Sequence, residues 1–283
     1  MRHSETGRSD AVMSVPPVDQ GHVADKDRQR TVRRCQKFRY DPLMSDPTDD
    51  VQRKKMKAAA SDPIAVAARI AFARHTADTF KEVGFRLHLG GHIFGKDRRD
   101  GLSPFGHGDD AAVAVSMLLQ IGSQLVSGCA DLISDGRAYA GAALVRQLVE
   151  VEYLAWAFET KDAEAARWLR STKDERLSFF APVKLRKAAG ARFRSADYGY
   201  HCELGGHPVP GSWRLLNDDV TTAQLMLSDC LGHSTRIWGH VYGWSNGTMF
   251  DEVVKGADGR MREQYEEWQC LDRLTILQPP PEE

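Results

Sequence analysis

Apolar positions recur at three- and four-residue intervals over most of residues 61–278, a period that predicts helices. Val66, Ile70, Ala73, Ala77 and Phe80 mark the first. Asp62 is its expected N-cap, Pro63 its first helical residue and Gly84 its stop. The stretch 89–108, rich in glycine and charge, reads as a loop. A second helix is expected from Asp109–Asp110, acids suited to the positive end of a helix dipole, to Asp135-Gly136. The third, 137–160, carries Leu144, Leu148, Val151, Ala155 and Phe158 on one stripe. Ala142, Val145, Val149 and Trp156 form a second stripe beside it. A helix apolar over so much of its circumference belongs in the middle of a bundle.

Weaker periodicity predicts a short helix over 162–171 and another over 173–189, kinked at Pro182. Residues 198–210 read as irregular. Asn217 or Asp218 is the expected cap of a long helix through Val241. Val220, Leu227, Cys230, Leu231, Ile237 and Trp238 should face inward there, and Gly232 and Gly239 suggest a close helical neighbour. The last helix is placed at 258–277. No segment alternates with the period of a strand, so the predicted class is all-α: a bundle of five to seven helices.

Residues 1–60 lack this patterning and hold 13 Lys/Arg against 9 Asp/Glu. They read as a disordered, basic-leaning tail, which buries too little apolar surface to offset chain entropy. Residues 61–278 form the single folded domain, and 279–283 a short terminus. With a net charge of −1 over 283 residues, the overall balance calls for neither nucleic acid nor a membrane surface. Five scattered cysteines without a C-x-x-C pair fit neither a disulfide framework nor a zinc ribbon. Free thiols and a polar N-terminus point to the cytoplasm. The uncharged run 111–130 is long enough to cross a bilayer, but its serines, glutamines and glycines favour a buried bundle helix.

Several familiar signatures fail. Gly243-Trp244-Ser245-Asn246-Gly247 matches G-x-S-x-G without the strand–turn–helix setting a nucleophile elbow needs. His88 and His92 stand four apart, but two intervening glycines argue against the helix that would align them. No H-E-x-x-H, Glu-x-x-His, Walker loop or G-x-G-x-x-G occurs, so no cofactor or metal is expected from motifs.

Three polar sets remain. Arg146, Glu150 and Tyr153 share a face of the third helix, and on a central helix such a stripe must be paired, structurally or in a pocket. The segment Tyr198 to Pro208 gathers Tyr200, His201, Cys202, Glu203 and His207, able to supply a general acid and base. His207, restrained by Pro208, is its preferred residue. Asp229, His233, Arg236 and His240 share a face of the long helix; a solvated face is the expectation there, with Asp229 orienting His233 the alternative.

The set Arg146, Glu150, Trp168, Tyr200 and His207 resembles bacterial all-helical proteins grouped with the HEPN-like bundles, over roughly residues 110–245. HEPN ribonucleases separate an Arg from a following His by four to six residues. Arg69/His75, Arg86/His92 and Arg194/His201 have that spacing, as often as composition alone provides. The resemblance implies an RNA-acting bundle in a defence or stress response, often dimeric. His201 or His207 would then transfer protons, Arg146 or Arg194 would hold the phosphate, and Tyr153 and Tyr200 would line the site. The alternatives are a non-catalytic interaction or homodimerisation module and a metal-dependent hydrolase built from His201, Glu203 and His207.

Overall fold

The computed structural model describes residues 47–95, 108–160, 164–190, 192–193, 195–216 and 219–274, all within one unit of the chain. Six long helices build it: α1 (Pro47–Ser61), α2 (Pro63–Ile93), α3 (Asp110–Ser134), α4 (Ala138–Thr160), α9 (Val220–Ser245) and α10 (Asp251–Leu271). Short helices fill the connection between α4 and α9. They are α5 (Glu164–Arg170), α6 (Lys173–Glu175) with a π-helical turn Arg176–Phe180, α7 (Pro182–Ala188), and α8 (Ser195–His201) with a π-helical turn Cys202–Gly206. A 3₁₀ turn Pro210–Leu215 follows. No strand occurs among the described residues, and the all-α class stands.

α4 lies at the centre, against α3 on one side and α9 on another, as its double stripe requires. Leu148, Val151, Ala155 and Phe158 are buried, as are Ala142, Val145, Val149 and Trp156. They meet Leu118 and Leu119 of α3 and Leu227, Leu231 and Ile237 of α9 in one core with Phe72 and Phe80 of α2. α4 and α9 run parallel, because Glu152 meets His233 and Glu159 meets His240 with the same offset of 81 residues. Two parallel helices need a long return connection, and α5 to α8 supply it.

Four boundaries differ from expectation. First, order begins before residue 61: α1 covers residues assigned to the tail, and the earlier part of that segment lies outside the described residues. Second, α2 passes Gly84 and continues through Gly90 and Gly91. Each mid-helix glycine costs about 1 kcal/mol, but here it permits close contact. A Cβ at Gly91 would stand 2.8 Å from Val113 Cγ2, and one at Gly84 3.1 Å from Ser116 O. His88 and His92 are therefore aligned on a helix after all, ring centroids 4.5 Å apart. Third, residues 198–210 are largely helical. Fourth, α9 is capped by Asp219, whose Oδ1 accepts from Thr221 N at 3.0 Å, and it runs to Ser245; α10 starts seven residues earlier than placed. Asn217 and Asp218 lie outside the described residues. Val220 is exposed, and Gly239 faces open space, so neither has the inward role expected of it.

Other features follow the sequence closely. Asp62 caps α2, accepting from Ile64 N at 2.9 Å, with Pro63 in the first turn. The chain breaks at Ala181 before Pro182, in the extended conformation that a following proline favours. Ser245 is the buried last residue of α9, its hydroxyl donating to the Tyr242 carbonyl, so the G-x-S-x-G match forms no elbow. α3 is long and apolar enough to cross a membrane, and 67% of its most apolar window is buried inside the bundle. Asp110 in its first turn is buried and pairs with Arg170 of α5.

α8 and its π-helical turn are seated on α4 through Gly205. A Cβ there would stand 2.5 Å from the Ala143 amide nitrogen, closer than real side chains approach. The obstacle is backbone and cannot rotate away. Gly205→Ala is expected to cost about 1–3 kcal/mol in urea denaturation, and to shift His201, four residues upstream, away from its neighbours. An unchanged midpoint would show that the turn is not seated as described.

Candidate functional site

Three elements meet at one buried polar cluster. α8 brings His201, α9 brings Asp229, His233 and Arg236, and α4 brings Glu152. Three of these side chains are set by helical repeat, since Asp229, His233 and Arg236 at i, i+4 and i+7 share a face of α9. That face was expected to be solvated. Instead it packs on α4, leaving His233 and His240 each 6% exposed and His201 3%.

Glu152 anchors the cluster. Its Oε1 accepts from Arg236 Nε at 2.8 Å and its Oε2 from His233 Nδ1 at 2.6 Å. Arg236 Nη2 lies 2.7 Å from the same ring nitrogen, both groups being drawn to one carboxylate. Burial opposes ionisation of Glu152, but the Arg236 guanidinium and the His233 ring outweigh it and hold the carboxyl well below the usual carboxylate range. With Nδ1–H committed to Glu152, His233 presents its Nε2 lone pair to the opposite side.

On that side, His233 Nε2 faces His201 Nε2 at 3.2 Å. Asp229 completes a triangle: Oδ2 is 3.3 Å from His201 Nε2, and Oδ1 is 3.5 Å from His233 Nε2. Burial pushes the His201 imidazole down to about 4 against the nearby Asp229 carboxylate, so the ring is neutral at pH 7. Its Nδ1 is buried without a hydrogen-bond partner. Asp229, 22% exposed, is the member of the triangle nearest solvent.

The spacing suits a metal ion. Ligands held about 2.0–2.1 Å from zinc at tetrahedral angles stand about 3.3–3.4 Å from one another. Here the two imidazole nitrogens stand 3.2 Å apart, with Asp229 Oδ2 3.3 Å from the first and Oδ1 3.5 Å from the second. Two imidazoles and one carboxylate form a familiar donor set for zinc, iron or manganese. Glu152 on Nδ1 of His233 is the outer carboxylate that fixes a ligating ring. His201, Asp229 and His233 are the group of potential ligands brought within 4.8 Å of one another among the described residues.

Of the residues expected at the site, His201 is the one placed in this cluster. Arg146 and Glu150 form a separate one. They pair at 3.1 Å and share the Tyr198 hydroxyl, which receives from Arg146 Nη2 at 3.0 Å and donates to Glu150 Oε1 at 3.0 Å. At 100° per residue they sit on a different face of α4 from Glu152. Tyr153 turns into the core, its ring 4.3 Å from that of Phe193. The Tyr200 ring lies 5.4 Å from that of His201. His207 is exposed beyond the π-helical turn, its backbone N–H donating to Cys202 O, and Glu203 is exposed as well. Thus the metal set of His201, Glu203 and His207 is not assembled. Arg194 lies outside the described residues. Arg69 is wholly engaged in a buried ion pair with Asp272.

Glu152 was not singled out from sequence, since it sits among Val151, Tyr153 and Ala155 on a helix otherwise read as apolar. A signal was present: Glu152 and Glu159 are seven apart, as are His233 and His240. Two helices packed in parallel bring such pairs together at both levels, and His240 Nδ1 meets Glu159 Oε2 at 2.6 Å. No family model, curated protein or solved structure matches this chain.

Proposed function

We propose that this protein is a metal-dependent hydrolase whose ion is held by His201, His233 and Asp229. The observation that carries the reading is the convergence of two imidazole nitrogens 3.2 Å apart with the Asp229 carboxylate, whose oxygens lie 3.3 and 3.5 Å from them, backed by the Glu152 carboxylate. Three protein ligands leave coordination positions free, as in catalytic rather than structural zinc sites. An ion held there would supply Lewis acidity for activating water at neutral pH. His233 is held in one tautomer by Glu152, and Arg236 keeps that carboxylate ionised. Asp229 marks the solvent side, from which a small substrate would approach. Of the pairs an RNA-acting HEPN-like centre could use, Arg146 and His201 engage different partners, and Arg194 lies outside the described residues.

The test combines stoichiometry with turnover. Calorimetric titration of EDTA-treated protein with Zn²⁺, Mn²⁺ and Fe²⁺ is expected to show one site, lost in His201→Ala and His233→Ala. The loaded protein is expected to hydrolyse p-nitrophenyl acetate or p-nitrophenyl phosphate, and the EDTA-treated protein is not. Binding without turnover of either ester would leave a structural ion and overturn the hydrolase. Absence of a site in the folded wild type would overturn the whole reading.

A further inference from the structure

The Tyr198 ring carries two guanidiniums. Arg146 Cζ lies 5.6 Å from its centroid and Arg186 Cζ 4.4 Å. Glu150 pairs with Arg146 and also accepts the Tyr198 hydroxyl. Both arginines keep a buried Nε–H without an acceptor. A guanidinium presents five donors in a planar fork, and leaving part of it unpaired away from water is costly. Two such forks share one ring, and Glu150 is paired with the Arg146 fork. Residues 184–192 hold Lys184, Arg186, Lys187 and Arg192 with no Asp or Glu, and Lys184, Lys187 and Arg192 are exposed.

Arg146 is also shaped by the backbone. A Cβ at Gly206 would stand 2.5 Å from Arg146 Cδ and 3.1 Å from its Nε. The glycine therefore lets the arginine stem lie flat beneath the turn, with its Nη end toward Tyr198. Part of the side chain, 28%, stays open to solvent. The arrangement is a pair of oriented cations on one aromatic platform, with part of Arg146 open to solvent.

We infer that Arg146, Arg186 and Tyr198 form a binding site for the phosphate group of a phosphate ester. Planar guanidinium forks match the oxygens of phosphate in pairs, and the Tyr198 ring holds them in place by stacking. Glu150 acts as a positioning residue, orienting Arg146 and the phenol and setting a threshold that weak, singly charged anions do not meet. This site does not depend on the metal centre.

EDTA-treated full-length protein would be titrated calorimetrically with inorganic phosphate, adenosine monophosphate and a short single-stranded oligoribonucleotide, with chloride as the matched control. Binding of at least one phosphate probe is expected. Arg186→Ala should weaken it about tenfold or more, the loss of one charged hydrogen-bond partner, and Arg186→Lys should restore only part. Circular dichroism and retained zinc binding would show that these variants are folded. Tightest binding of the mononucleotide assigns a small phosphorylated ligand, and of the oligonucleotide a nucleic-acid strand. No binding of any probe, or equal binding by Arg186→Ala, overturns the site.

Discussion

Arg69→Met is expected to remove about 3–5 kcal/mol of folding free energy, the usual consequence of breaking a buried ion pair on one side. Arg69 and Asp272 are both fully buried. The guanidinium uses every donor it has. Nε and Nη2 bind the two Asp272 oxygens at 2.7 Å each, Nη1 reaches Ala60 O and Gln224 Oε1, and Nη2 reaches Ala59 O. The Asp272 carboxylate also accepts from Trp268 Nε1 and Leu274 N. One side chain thereby closes the C-terminal end of α1, whose last carbonyls have no helical partners, and ties α2 to α9 and to the end of α10. Urea denaturation measures the loss. Asp272→Leu combined with Arg69→Met should recover part of it, because no charge is then left buried alone. A single-variant loss below about 1 kcal/mol would mean that the clamp does not hold α1.

Glu152→Ala is expected to act on stability and on the proposed site together. It strands the Arg236 guanidinium and the His233 ring between α4 and α9, at a cost of about 3–5 kcal/mol. Glu152→Gln is the informative companion. It keeps volume and an acceptor but loses the charge that fixes His233, so it should fold and bind zinc about 10–100-fold more weakly. The same substitution at Glu159, which meets His240 seven residues along, should leave zinc affinity unchanged while lowering stability. Equal effects at both positions would reduce Glu152 to one of two structural pairs.

The sequence makes the architecture legible where burial is periodic. The two stripes of α4, the cap and first turn of α2 and the break at Pro182 are all local signals, and each is found where it was expected. α1 escapes that reading because its apolar residues are few; it is fixed by Arg69 from α2 and Asp272 from near the chain's end. The extension of α2 through Gly90 and Gly91 is hidden for a related reason: local propensity penalises those glycines, and only close packing, of Gly90 against Phe250 and of Gly91 against Val113 of α3, reverses the balance.

The candidate site was half visible. His201 was identified as chemically able, but its partners could not be, because they depend on how α4 and α9 register. A face carrying Asp229, His233, Arg236 and His240 looks solvated on charge alone. It becomes interior once a parallel neighbour offers a carboxylate at each turn that carries a histidine. Arg146 and Glu150 were rightly seen to need pairing, yet Tyr198, not an imidazole, completes them.

X-ray absorption at the zinc edge, on protein loaded with one equivalent, reads whether His201, His233 and Asp229 hold the ion. The expected result is a first shell of nitrogen and oxygen at about 2.0–2.1 Å, with the outer-shell scattering of two imidazoles, reduced to one in His201→Ala. A shell containing sulfur, which would move the ion to a cysteine such as Cys202, would contradict it. So would failure of the folded protein to retain zinc.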